Sequence, residues 1–174
     1  AGVDEGSLDE NDIEYIKNVF KLGDLTAADV MIPRKSIAFI SADATEEEIL
    51  KTIEIEGYSR IPVYSNTVDE IAGILHSRDY LLKHKNPGFT LDMAMFQPTY
   101  VPETMHLDLQ FKDMQTQHNH IVIVVSEFGV PSGIVTMEDI LEEIVGEIWD
   151  EHDEEIDNIS QLDDSSYCVL CTTS

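Results

Sequence analysis

Two glycine-led motifs in this sequence put a side chain able to meet an anion three positions ahead of an aspartate. One is Gly133-Ile134-Val135-Thr136-Met137-Glu138-Asp139, the other Gly73-Ile74-Leu75-His76-Ser77-Arg78-Asp79, and each runs from an apolar stretch into a segment of helical spacing. Thr136 sits where a helix N-cap belongs. Asp139 follows three residues later, as in a capping box whose carboxylate also complements the helix dipole. The same groups suit a ligand: free N–H groups and a hydroxyl at a helix N-terminus hold a phosphate. A carboxylate one turn in accepts hydrogen bonds from the paired hydroxyls of a ribose. Spacing alone is compatible with a purely structural cap and with a nucleotide-binding turn.

The other reactive side chains offer less. Cys168 and Cys171 form a C-x-x-C pair with no partner pair and no following helix pattern, so they read as incidental thiols in a reducing cytoplasm. His118 and His120 alternate around Asn119 without carboxylates at ligand spacing and read as surface polar groups. The run Asp150-Glu151-His152-Asp153-Glu154-Glu155 lacks the alternating ligands and turn glycine of a calcium loop. With no nucleophile–base pair, Gly-rich phosphate loop or metal triad, the expectation is a non-enzyme with no catalytic and no metal residues.

Charge narrows the partners. In 174 residues, 10 Lys and Arg face 35 Asp and Glu, a formal charge of −25. That repels phosphate backbones and anionic lipid, which excludes nucleic acid as a general partner but not one small anion held locally. Lys112 is the last basic residue, and 15 acidic side chains follow it. No apolar run nears the ~20 residues of a membrane span, and no basic-then-apolar leader is seen. A 43% hydrophobic content points to a soluble globular chain of one domain or two small ones.

The elements that must position these residues come in two copies. Gly73 to Leu81 aligns with Gly133 to Leu141, and Ser59-Arg60-Ile61-Pro62-Val63-Tyr64-Ser65 lies opposite His120-Ile121-Val122-Ile123-Val124-Val125-Ser126. The β-branched runs Arg60 to Tyr64 and Ile121 to Val125 read as strands. An amphipathic helix precedes each, Thr45 through Glu56 and Thr104 through Gln117, each opening on a Thr that can cap it. Each copy is thus an extended segment, a helix, two strands and a second helix, in an α+β tandem with pseudo-two-fold symmetry. A unit of ~60 residues buries too little alone, so the two are expected to pack sheet to sheet. Flanking them, Ser7-Leu8-Asp9-Glu10 offers a helix start, Ile13, Ile16, Val19 and Phe20 mark one face, and Gly23 closes it. Residues 1–6 read as a flexible lead-in or cloning remnant. An acidic helix is expected from Glu138 to Asp157, with an apolar stripe running from Ile140 to Trp149.

These repeats resemble paired cystathionine-β-synthase (CBS) domains, the Bateman module. The segments Asp29-Val30-Met31-Ile32-Pro33-Arg34, Gly57 to Tyr64 and Ile134 to Ile148 are more narrowly similar to the CorC/HlyC family of magnesium and cobalt efflux or hemolysin-C-like proteins. The resemblance implies an N-terminal lead-in and helix over 1–24, a first CBS repeat over 25–85 and a second over 90–146. It implies an acidic extension over 147–164, then the start of a truncated transporter-associated domain over 165–174, Ser165 to Val169 being its first strand. It also implies a regulatory module that binds AMP or ATP, magnesium accompanying ATP, and that forms a homodimer. In the parent protein it would join a transmembrane domain on the cytoplasmic side of the bacterial inner membrane. Carried over by position, Thr136 would meet the phosphate and Asp139 the ribose. Ile32, Ile37, Ala38, Tyr58, Ser59 and Pro62 would wall the base, and Arg60 would approach the phosphate. In the first repeat His76 replaces the hydroxyl, with Asn119 and His120 on the opposing wall, so that site is expected to be poor or empty. The rival expectation is a structural dimerisation module with a vestigial cleft.

Overall fold

The computed structural model describes residues 10–146, 159–163 and 166–169. It opens with helices α1 (Glu10–Leu22) and α2 (Ala27–Val30) and the short strand β1 (Ile32–Pro33). The first repeat continues through β2 (Ile40–Ser41), α3 (Glu46–Glu56), β3 (Arg60–Tyr64), β4 (Ile71–His76) and α4 (Ser77–Lys83). A 3-10 turn then leads into β5 (Met95–Phe96). The second repeat is β6 (Tyr100–Pro102), α5 (Leu107–Gln117), β7 (Ile121–Val125), β8 (Pro131–Thr136) and α6 (Met137–Val145). The expected α+β tandem is present, and both expected strand runs match β3 and β7 residue for residue.

Strand order is β2-β3-β4-β5 in one sheet and β6-β7-β8-β1 in the other. In each, the first pair is parallel and the next two antiparallel. Each sheet therefore takes its last strand from the segment ahead of the other repeat. Thr26 also bridges to His106, and Leu22 and Ala27 lie in the core of the second repeat with Val122, Val124, Val135 and Ile140. Ile61, Val63 and Leu75 pack in the other helix-facing core with Ile49 and Ile53 of α3. The alternate residues Ile74, Ile121, Ile123 and Ile134 meet in a third cluster. The central strands thus bury both faces, which is why they read as continuous β-branched runs without polar alternation. The motif glycines are what allow the exchange. A Cβ on Gly133 would lie 2.6 Å from the Ile32 carbonyl oxygen and 2.7 Å from the Met31 sulfur, and one on Gly73 would lie 3.2–3.3 Å from Met95 and Phe96.

Two expectations fail. Thr104 does not cap α5: the N-cap is His106, with no side-chain cap bond. The exchanged segment does that work, because the Leu25 carbonyl accepts the Leu107 N–H at 3.0 Å. The last helix stops at Val145, where Gly146 takes φ 77° and its N–H closes on the Glu142 carbonyl. Its expected continuation over 147–157, with Trp149 and the acidic run, lies outside the described residues, as do the Ser7 cap and the 1–6 lead-in. Beyond the end of that expected helix, Ile159–Asp163 is a strand, β9, paired antiparallel with β10 (Ser166–Val169).

The close approach at Gly133 is expected to make Gly133→Ala cost about 1–3 kcal/mol in urea unfolding, more than Gly73→Ala, where the flexible Met95 side chain can give. Equal losses would mean that the β1 contact is not the tighter constraint. Gln110, fully buried on α5, leaves its Oε1 without a partner, and its amide reaches only the Met114 sulfur at 3.8 Å. Gln110→Met is expected to stabilise by about 1 kcal/mol, since it removes an unpaired polar atom at nearly constant volume.

Acid should act through the exposed caps. The Thr45 backbone N–H, then its hydroxyl, hold Glu48 below the usual carboxylate range; the Thr26 hydroxyl, then its N–H, do the same for Asp29. Lowered folded values mean fewer protons bound when folded, so this stability is present at neutral pH and lost as pH falls through those values. A Thr26→Ala, Thr45→Ala variant is expected to melt lower at neutral pH, yet to lose less than wild type on further acidification to about pH 3.

Candidate functional site

At the start of α6 the capping box is complete. The Thr136 N–H and hydroxyl both donate to Asp139 Oδ2 at 2.7 Å, and the Asp139 N–H donates back to Thr136 Oγ1 at 3.2 Å. The box also occurs at Thr26–Asp29 and Thr45–Glu48, on the exposed starts of α2 and α3. What sets the third apart is its position at the mouth of a cleft between the two sheets. All its bonds use one carboxylate oxygen, and Oδ1 accepts none among the described residues. The Met137 N–H goes to the His120 carbonyl at 3.0 Å, so Glu138 carries the one N–H of that first turn without a protein partner among the described residues. The expected cradle of several free N–H groups is accordingly reduced to one. Thr136 Oγ1 has already spent its proton on Asp139.

The cleft has a volume of about 300 Å³, at the small end of ligand pockets. One wall is Ile32 of β1 with Ile37 and Ala38 from the turn after it. A second is Tyr58, Ser59, Arg60 and Pro62, leading into and along β3. Thr136 and Asp139 close it from the other repeat. All nine residues singled out in the sequence line this one space. Sequence reasoning missed Ile121, Ile134 and Glu138 here, and assigned His120 to the other repeat's site alone. Glu138 lay inside the motif and could have been read from it. Ile134 enters because it pairs with Ile32 across the exchanged strand, and Ile121 because it stands opposite Thr136 in the β7–β8 register.

Arg60 is half-buried and has no carboxylate within 4 Å among the described residues, whereas Arg34 pairs with Asp69 and Lys83 reaches Asp79. In a chain of charge −25, a cation so placed is open to an anion from outside. The first-repeat copy of the motif is built differently. His76 is the N-cap of α4 but makes no cap bond, and its Nδ1 lies 3.4 Å from Asp79 Oδ2 without hydrogen-bond alignment. Ser77 ties the turn down instead, its hydroxyl donating to the Tyr58 carbonyl at 2.6 Å and its N–H to that of Ser59.

A family model described as "CBS domain" matches residues 27–84 and 92–146. The magnesium and cobalt efflux protein CorC of Pasteurella multocida is 43% identical over 169 residues, covering 95% of this chain and 56% of that protein. Hemolysin C of Brachyspira hyodysenteriae is 35% identical over 167 residues, 96% of this chain and 62% of its own length. The chain thus spans rather more than half the length of each of these two relatives. Among solved structures, the CBS domain of the bacterial CNNM/CorC family Mg2+ transporter in complex with ATP superposes with a TM-score of 0.73 at 36% identity, covering 78% of this chain and 98% of that one. A CBS-domain pair with bound AMP from Klebsiella pneumoniae gives 0.63 at 32%, covering 70% and 99%.

Such pairs are regulatory modules and not enzymes. Among the described residues, no helix is long and apolar enough to cross a membrane. Matched by the family model in both repeats and by the transporter's own fragment over nearly all of its length, the chain belongs to the CBS-domain family, as a CBS pair of the CNNM/CorC kind.

Proposed function

We propose that this chain is the adenine-nucleotide-binding regulatory part of a CorC-like magnesium and cobalt efflux protein, taking AMP or ATP in the cleft between its repeats. The observation that carries this reading is a single space whose walls combine a carboxylate oxygen at Asp139, an unpaired guanidinium at Arg60 and the apolar Ile32, Ile37, Ala38 and Pro62. Asp139 Oδ1 takes the ribose hydroxyls, Arg60 the phosphates, and the apolar wall and Tyr58 cover the base. Glu138 repels phosphate, and Mg2+ accompanying ATP offsets that repulsion. The ATP and AMP complexes of the two solved relatives support the ligand class. In the parent protein the module adjoins a transmembrane domain on the cytoplasmic side of the bacterial inner membrane and reports nucleotide state to it. It pairs with a second copy: Ile55 and Leu82 are each 68% exposed, and Ile13, Ile16, Val19 and Phe20 of α1 also lie open. The competing reading, a dimerisation module with a vestigial cleft, draws on the fact that the α6 cap satisfies itself.

Calorimetric titration of AMP and ATP, with and without Mg2+, decides between them: no heat at millimolar nucleotide gives the answer to the vestigial reading. Asp139→Ala is expected to weaken binding roughly tenfold to a hundredfold, the loss of charge-assisted hydrogen bonds. Glu48→Ala removes the same kind of cap far from the cleft; it should lower the melting temperature and leave nucleotide affinity alone. If both variants lost affinity alike, the effect of Asp139 would be capping and not contact. Light scattering at micromolar protein should give twice the chain mass, and a monomer would count against pairing.

A further inference from the structure

Tyr58 and Ser59 form a two-residue strip between two spaces. On one side lies the cleft; on the other lies an apolar groove of about 690 Å³, lined by Leu50 and Ile53 of α3 and by Leu81 and Leu82 of α4. The strip is poorly held by its own surroundings. Gly57 ahead of it closes α3 at φ 68°, and Tyr58 is 53% exposed. Among the described residues, neither N–H of the strip and neither of its side chains has a hydrogen-bond partner. Both of its carbonyls, however, are taken by one residue at the start of α4. Ser77 is 4% exposed; its hydroxyl donates to the Tyr58 carbonyl at 2.6 Å and its N–H to the Ser59 carbonyl at 3.0 Å.

That hydroxyl is not a helix cap. A capping hydroxyl accepts from an N–H of its own helix, whereas Ser77 already lies inside α4, behind the N-cap His76, and gives its proton outward to the strip. The second repeat shows what the loop does without it. Met137 stands where Ser77 does and keeps only the backbone bond, to the His120 carbonyl. There the loop ties itself, the Asn119 N–H donating to the Met114 carbonyl and its amide to Thr99 Oγ1, both at 2.9 Å. Tyr58 takes the place of Asn119 in the first repeat, so a ring replaces the amide that made that tie. The hold has passed to the neighbouring helix.

We propose that Ser77 is a positioning residue for the nucleotide cleft: its hydroxyl latches the Tyr58 carbonyl and keeps the Tyr58 ring against the base, out of the groove behind it. The inference rests on the nucleotide reading above and adds a residue that lines the groove but not the cleft. Without the latch the strip divides its time between the two spaces. Apparent affinity then falls by the fraction that still faces the cleft.

Two measurements on the whole chain test this. In AMP titrations, Ser77→Ala should weaken binding roughly tenfold, as when about a tenth of the molecules keep the wall in place. In a Tyr58→Ala background the same change should cost little more, because the latch acts through that ring. The second measurement needs no nucleotide. Limited chymotrypsin digestion cuts after Tyr58 only when the strip opens, and after Phe128, 83% exposed between β7 and β8, as an internal reference. Ser77→Ala should raise the ratio of the first cut to the second roughly tenfold, and general unfolding would raise both. An unchanged ratio overturns the latch. With wild type binding AMP, unaltered affinity in Ser77→Ala, or fully additive losses in the double variant, overturns its role at the cleft. A wild type that binds no AMP refutes the nucleotide reading by itself, and the cleavage ratio still decides whether Ser77 holds the strip.

Discussion

At Gly133 the backbone of β8 meets that of β1 so closely that no side chain fits between them, and Gly73 repeats the arrangement, less tightly, between β4 and β5. From these two contacts the remaining architecture follows. Each sheet is completed by a strand from outside its own repeat, which fixes the pseudo-symmetry and brings β1 and the turn after it to the start of α6. Without the exchange Ile32 would not stand beside Ile134, the turn carrying Ile37 and Ala38 would not face Asp139, and there would be two half-sites and no cleft. The exchanged segment also caps α5 through the Leu25 carbonyl.

The symmetry is imperfect where chemistry is concerned. Both repeats shift register at the same place, after Val63 and after Val124, and both pin the first residue of the second helix to the carbonyl just ahead of the first hairpin strand, Ser59 before β3 and His120 before β7. Yet Thr136 and Asp139 form a closed box, whereas His76 leaves a ring nitrogen unpartnered and passes the anchoring to Ser77. Gln110 occupies in α5 the place that Ile49 holds in α3, both buried toward the sheet, so even the cores differ by a polar atom. One scaffold thus carries two unlike clefts that share Arg60, one lined by Glu138 and Asp139 and the other by no carboxylate among the described residues.

Much of this was legible in the residues. The β-branched runs, Thr45 as a cap and the alignment of the two glycine motifs follow from local rules that need no partner. The nine cleft residues required the family resemblance as well, because adjacency of Ile32 to Asp139 is a property of the strand exchange and no periodicity encodes it. Thr104 misled because a hydroxyl ahead of a helix is a sufficient cap only when no backbone carbonyl arrives from elsewhere, and Leu25 does arrive. The acidic run after Gly146 carried helical spacing past a glycine at φ 77°, a conformation that ends a helix whatever pattern follows.

The exchange has a temporal consequence. β5 pairs with β4 some twenty residues back along the chain, but β1 must wait for β8, most of the repeat region later. A ribosome releasing this chain delivers a closed first sheet well before the second can finish, with β1 and its apolar neighbours held open in the meantime. The cleft that joins Ile32 to α6 is therefore among the last features to form, and no fragment ending before Asp139 can contain it. A half-made molecule lacks that cleft, so the presence of the cleft marks the synthesis of both repeats as complete.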